Sequence, residues 1–295
     1  CGVASVVNDF TGTSNASGQY PLGVTTVTWT VTDNSGNTST CQDFILVIDN
    51  IAPTAVCKNI TVQLNSNGFA SIVPGQLDNG SYDNCTISTM SLSRNTFSCA
   101  DVGNQLVTLT VFDNSGNQGS CTATVTVVDN VAPLAACQDV TVFLDINGQA
   151  TVAASQVNNG SSDACGLASV TVSPSSFTCA NLGPNPVTLT VTDNNGNVST
   201  CNATVTVVDN LDPNAICQLL TVYLDANGNA NITGYDVASG STDNCSVANI
   251  QVNPSSFTCS DLGNNPVTVI VEDQSGNDDF CFSTVTVLDN TPPII

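Results

Sequence analysis

The sequence predicts an all-β protein, a tandem array of immunoglobulin-like β-sandwich domains set end to end. Three observations carry that expectation. The cysteines Cys57, Cys85, Cys99 and Cys121 recur at Cys137, Cys165, Cys179 and Cys201, then at Cys217, Cys245, Cys259 and Cys281, each step being 80 residues. A period of that length marks tandem copies of one small unit. Apolar residues alternate with threonine, as Val107, Leu109 and Val111 do with Thr108 and Thr110, which is the signature of a half-buried strand. No segment shows a sustained helical period, and Thr, Val, Asn and Ser dominate.

The copy from Cys57 to Asn130 justifies each element in turn. Ile60, Val62 and Leu64 alternate with polar residues, and Asn65-Ser66-Asn67-Gly68 supplies a turn before Ala70 and Ile72; the expectation is a hairpin. A polar loop, Asp78 to Asn84, leads to a strand carrying Ile87, Met90 and Leu92. Phe97, with Phe177 and Phe257 at the same place in the later copies, precedes a cysteine. Two stronger strands follow, Val107–Val111 and Ala123–Val127, joined by Asp113-Asn114-Ser115-Gly116-Asn117. About seven short strands with one apolar face make a sandwich. Trp29 stands where Leu109 stands in the next copy, so it reads as a core residue rather than a binding aromatic.

The register divides the chain into an incomplete copy at 1–50, copies at 51–130, 131–210 and 211–290, and the start of another at 291–295. Cys1-Gly2-Val3-Ala4-Ser5-Val6 matches Cys165 to Val170, so residue 1 falls in the middle of a copy.

Composition excludes several functions. Lys58 and Arg94 face 24 acidic residues, for a net charge of -22, so nothing neutralises phosphates and nucleic acid or an anionic membrane surface is excluded as a partner. No apolar run is long enough for a membrane-spanning helix. There is no histidine, which removes His-based nucleophile pairs and zinc sites, and the same aspartates recur in every copy as turn residues would; the chain reads as no enzyme. Fourteen cysteines at fixed spacing point to disulfides and an oxidising, extracellular compartment.

Four cysteines per copy allow three pairings. With first and last strands side by side, Cys57 and Cys121 fall at one end of the domain, and Cys85 and Cys99 flank a strand and its return. The expected bonds are therefore Cys57–Cys121, Cys85–Cys99, Cys137–Cys201, Cys165–Cys179, Cys217–Cys281 and Cys245–Cys259. The partner of Cys41 is expected upstream, with Cys1 as the fallback.

The run from Asp113 to Val127 with the following VDNVAP, the Asp-x-Cys segments at Asp83, Asp163 and Asp243, and the DxxGN loops at Asp33, Asp113, Asp193 and Asp273 resemble hyalin-repeat (HYR) modules. The whole chain is similar to the tandem HYR arrays of large Bacteroidota surface adhesins of the SprB-like, gliding-motility type. That resemblance implies a stalk or filament segment for cell adhesion or gliding at the surface of a Gram-negative bacterium, exported by the type IX system. The incomplete copy departs from it, having Thr13 to Gly18 where Cys99 would stand. Alternative readings are a self-assembling extracellular fibre subunit or an array of carbohydrate-binding modules. The expected partners are an unidentified surface or glycan ligand, other domains of the same chain, and laterally packed copies.

Calcium is the candidate cofactor. At each junction an Asp-Asn pair, a loop aspartate and a DxxGN loop should converge: Asp49, Asn50, Asp83, Asp113 and Asn117; then Asp129, Asn130, Asp163, Asp193 and Asn197; then Asp209, Asn210, Asp243, Asp273 and Asn277. Converging hard oxygens suit Ca²⁺. The same residues equally serve as turn formers that bond their own backbone with no ion.

Overall fold

The computed structural model describes residues 2–292. Cys1 and residues 293–295, on which the Cys1 fallback bond and most of the 291–295 segment rest, lie outside that range. The chain divides into two compact units, Cys1–Asn130 and Val131–Ile295.

In the first unit, strands β1 (Val3–Asn8), β2 (Gly23–Asp33) and β3 (Thr38–Val47) form one antiparallel sheet in the order β1-β2-β3. The next copy adds β4 (Ile60–Gln63), β5 (Phe69–Ser71), a single helical turn α1 (Pro74–Leu77), β6 (Ile87–Leu92), β7 (Thr96–Ser98), β8 (Gly103–Asp113) and β9 (Gln118–Val128). These make a four-stranded sheet, β4-β9-β8-β6, faced by the pair β5-β7. β8 and β9 hold the core: Val107, Leu109, Val111, Ala123, Val125 and Val127 point inward and are buried, and Phe97 of β7 closes the other side. Alternation places the intervening threonines outside.

The second unit repeats the arrangement twice. Strands β10 (Val140–Phe143), β11 (Gln149–Thr151), β12 (Leu167–Ser173), β13 (Ser176–Thr178), β14 (Gly183–Asp193) and β15 (Val198–Val208) give a sheet β10-β15-β14-β12 with the pair β11-β13. Strands β16 (Leu220–Tyr223), β17 (Asn229–Asn231), β18 (Val247–Asn253), β19 (Ser256–Thr258), β20 (Gly263–Asp273) and β21 (Asp278–Leu288) give β16-β21-β20-β18 with β17-β19. Each copy is an immunoglobulin-like sandwich built on its own apolar cluster, around Leu189 in one and Val269 in the other.

Three local expectations are corrected. The segment 60–72 is not a hairpin, because β4 pairs in parallel with β9 while β5 pairs with β7. The Asn65 loop, closed by Gly68 N–H on Asn65 O at 2.8 Å, carries the chain from one sheet to the other. Each copy also has six strands and a helical turn rather than seven strands; in α1 the Gln76 side chain accepts the Val73 N–H at 2.8 Å, and Leu77 is fully buried. Trp29 is half-buried rather than a core residue. Among the described residues no strand pairs with β3 as β4 pairs with β9, and Phe44, Leu46 and Ile48 are exposed.

The first and last strands of each complete copy are joined by Cys57–Cys121, Cys137–Cys201 and Cys217–Cys281. The other expected pairings, Cys85–Cys99, Cys165–Cys179 and Cys245–Cys259, do not form. Cys179 bonds Cys245, joining two successive copies; Cys85 and Cys259 are free, while Cys99 and Cys165 are disulfide-bonded. The reason lies in the path after β6, β12 and β18. The following strand does not retrace its predecessor but crosses to the opposite sheet, so the cysteine ahead of the one strand and the cysteine beyond the other are not brought together by strand pairing. Cys41 is free and exposed.

Candidate metal centre

Each DxxGN loop is organised from within. Asp273 Oδ1 accepts the N–H groups of Ser275 and Asn277, each at 2.8 Å, and its Oδ2 accepts Asn277 Nδ2 at 2.8 Å. Gly276 takes φ +88°, the left-handed conformation that costs glycine least. Asp113 and Asp193 make the same three contacts. All three carboxylates are buried, satisfied by charge-assisted bonds that offset desolvation. For Asp193, burial pushes the pKa up, but the Asn197 side chain and the loop N–H groups outweigh it and hold the carboxyl below the usual 3.8.

The loop asparagine then reaches the junction. Asn277 Nδ2 donates to Asp209 O at 3.3 Å, Asn117 Nδ2 to Asp49 O at 3.0 Å, and Asn197 Nδ2 to Val131 O at 3.2 Å. The Asp-x-Cys loop arrives from the other side: Asp243 Oδ2 accepts the N–H groups of Cys245 and Ser246 at 2.8 and 2.9 Å, as Asp83 Oδ2 does for Cys85 and Thr86.

In the first unit, carboxylate oxygens of Asp49, Asp83 and Asp113 lie within 4.8 Å of one another. The Ile51 N–H, then the Cys85 thiol, hold the Asp49 carboxyl below the usual 3.8, and the same Asp49 pushes the Cys85 thiol up. In the second unit, oxygens of Asp209 and Asp243 lie within 4.8 Å of each other and of Cys245 Sγ. That sulfur is in a disulfide and offers no thiolate. Asp209 is 5% exposed. Its Oδ1 accepts Leu211 N–H and Asn244 Nδ2 at 3.3 and 3.1 Å, but its Oδ2, Asp243 Oδ1 and Asn244 Oδ1 are buried with no hydrogen-bond partner. Leaving one such acceptor unmet costs about 1–3 kcal/mol, and more when it is charged.

Not every expected ligand joins. Asn50, Asn130 and Asn210 are exposed. Asp273 is not in the Asp209 cluster, although its loop is organised as that of Asp113 is. Asp163 accepts the Cys165 N–H at 2.7 Å. Asn244 was missed by the sequence reading, although the signal was present: it stands between Asp243 and Cys245, two residues that recur in every copy.

The HYR domain model matches residues 49–127. Hyalin of Strongylocentrotus purpuratus is 32% identical over 306 residues, covering 97% of this chain and 25% of hyalin, so the chain spans about a quarter of that relative. Together with the 80-residue recurrence, these two matches support HYR-domain repeats. Among solved structures, the protocadherin gamma B7 extracellular cadherin domains 1–4 overlay at a TM-score of 0.32, with 14% identity over 90% of this chain and 83% of that one. The Sidekick-1 immunoglobulin domains 1–4 overlay at 0.32, with 11% identity over 96% and 90%. No described helix is long and apolar enough to cross a membrane.

Proposed function

We propose that the chain is a structural segment of a cell-surface adhesion protein, a disulfide-braced array whose joints are stiffened by calcium. Its modules are taken as 51–130, 131–210 and 211–290 after a partial module at 1–50. Placement on a bacterial surface, with type IX export and a role in gliding, rests on the resemblance to Bacteroidota adhesins alone. The observation that carries the calcium reading is the set of buried, unpartnered oxygens on Asp209, Asp243 and Asn244. Two carboxylates turned toward each other with no proton donor between them repel, and a hard divalent cation with oxygen ligands relieves that repulsion. The charge of -22 raises local cation concentration further. A cation held by ligands from both sides of a junction binds the folded state alone, so its binding energy becomes stability of that joint.

Calcium titration of the intact protein by calorimetry tests this. Wild type should bind calcium with at least one site lost in the Asp209→Asn, Asp243→Asn double variant. Identical isotherms for the two proteins would remove the ion from this junction.

A further inference from the structure

The Cys179–Cys245 bond is one of a set of contacts that seat the Asp-x-Cys loop of one copy on the preceding copy. Asn244 Nδ2 donates to Asp145 O at 3.1 Å. The Asn244 carbonyl lies so close to Gly148 that a Cβ there would meet it at 2.7 Å and Cys179 Sγ at 2.5 Å. The receiving surface is therefore the turn Asp145-Ile146-Asn147-Gly148 together with the sulfur of Cys179.

The last copy carries the same surface, and among the described residues only Cys259 lies against its glycine. Asp225 closes its turn as Asp145 does, with Gly228 N–H on Asp225 O and Gly148 N–H on Asp145 O both at 2.9 Å, leaving the second lone pair of the carbonyl open. Gly228 takes φ +76°, and a Cβ there would meet Cys259 Sγ at 2.7 Å. The sulfurs of Cys179 and Cys259 stand 3.7 and 3.8 Å from the carbonyl oxygens of Gly148 and Gly228. Cys259 is free and exposed, where Cys179 is half-covered by its partner loop.

We propose that the Asp225–Gly228 turn and Cys259 form a receiving site for the Asp-x-Cys loop of a further repeat of this kind, closed by a disulfide to Cys259. The occupied site 80 residues earlier supplies the partner's chemistry: a short acidic loop whose backbone carbonyl packs on the glycine and whose thiol meets the sulfur. Closure takes two electrons and two protons from the two thiols. A disulfide oxidant accepts them, either an oxidised low-molecular-weight thiol or a dithiol oxidase, and leaves as its thiols.

The free thiols of the same chain provide the control. The intact protein is treated with the peptide Ser-Thr-Asp-Asn-Cys-Ser, the sequence of Ser241 to Ser246, with its cysteine activated as a thionitrobenzoate disulfide. The attacking protein thiolate takes the peptide sulfur and thionitrobenzoate leaves with the electron pair. Peptide mapping then reads the rates at Cys41 and Cys259, each against a scrambled peptide of the same composition. Docking predicts a preference for the native sequence of about tenfold or more at Cys259 through raised effective concentration, and none at Cys41. Gly228→Ala, checked for an unchanged core by its melt, should erase that preference while leaving Cys259 reactive toward the free reagent. Equal preference at the two cysteines, or a preference that survives in folded Gly228→Ala, would overturn the proposal.

Discussion

Replacing Cys217 and Cys281 together by serine lowers the stability of the core built on β16 to β21 by about 4 kcal/mol, a loss expected equally from Cys57–Cys121 and Cys137–Cys201, which close the same separation. The bond closes a separation of 64 residues, and on the loop-entropy account a cross-link of that length removes about 4 kcal/mol of conformational freedom from the unfolded chain. The folded state has little in reserve, because a domain of this size buries a limited core; the cluster around Val269 contains mostly valines and isoleucines and a single phenylalanine, Phe257. A loss of that size lowers the melting temperature by on the order of 20 °C in a domain this small. Scanning calorimetry of the double variant checks it, and a transition that stays within about 5 °C of wild type would show that β16 and β21 hold their parallel pairing without the bond.

Asp273→Ala is expected to cost about 3 kcal/mol, although it deletes only a carboxylate. That side chain is 3% exposed and receives three donors; removing it takes the acceptor from these part-buried donors, each such loss costing about 1–3 kcal/mol. The loss reaches the junction too, since Asn277, which Asp273 orients, donates to Asp209 O. Asp225→Ala is the control. Its carboxylate accepts Asn227 and Asn229 N–H at 2.8 and 2.9 Å and these bonds hold its pKa below 3.8, but it is exposed and water replaces the lost acceptor. Urea unfolding should rank Asp273→Ala well below Asp225→Ala. Equal midpoints would mean that burial adds nothing to the turn.

The parts legible in the sequence are those whose causes are local. Alternation from Val107 to Val111 and from Ala123 to Val127 marks β8 and β9, because one pleated face is buried and the other wet. The recurrence of Asp113, Gly116 and Asn117 marks the loop between them. The Asn65 turn misled for a physical reason: a tight turn between two apolar runs has the same composition whether its strands pair with each other or with distant partners. Here β4 finds β9 and β5 finds β7, contacts that no local pattern encodes. The cysteines repeat the lesson. Cys85 and Cys99 are close in sequence, and loop entropy favours joining near neighbours, yet the second short strand of each copy changes sheets and Cys179 meets Cys245 in the next copy instead. The junction aspartates were legible as a group, but which of them face one another was not; Asp113 joins Asp49 and Asp83, whereas Asp273, with the same three loop contacts, stands outside the Asp209 cluster.

The most direct measurement is the thermal melt of the intact, oxidised protein in calcium and in excess chelator. At a free calcium concentration roughly a hundred times the dissociation constant, a cation that binds only the folded joint adds about 2.7 kcal/mol, so the transition should move upward in calcium and return with chelator. In Asp243→Asn the shift should shrink while the chelator-treated melt stays level or rises, because the new amide can donate to the unpartnered oxygen of Asp209. Wild-type melts that coincide in calcium and in chelator would contradict the account and leave the disulfides and the Asp-organised turns as the whole source of rigidity.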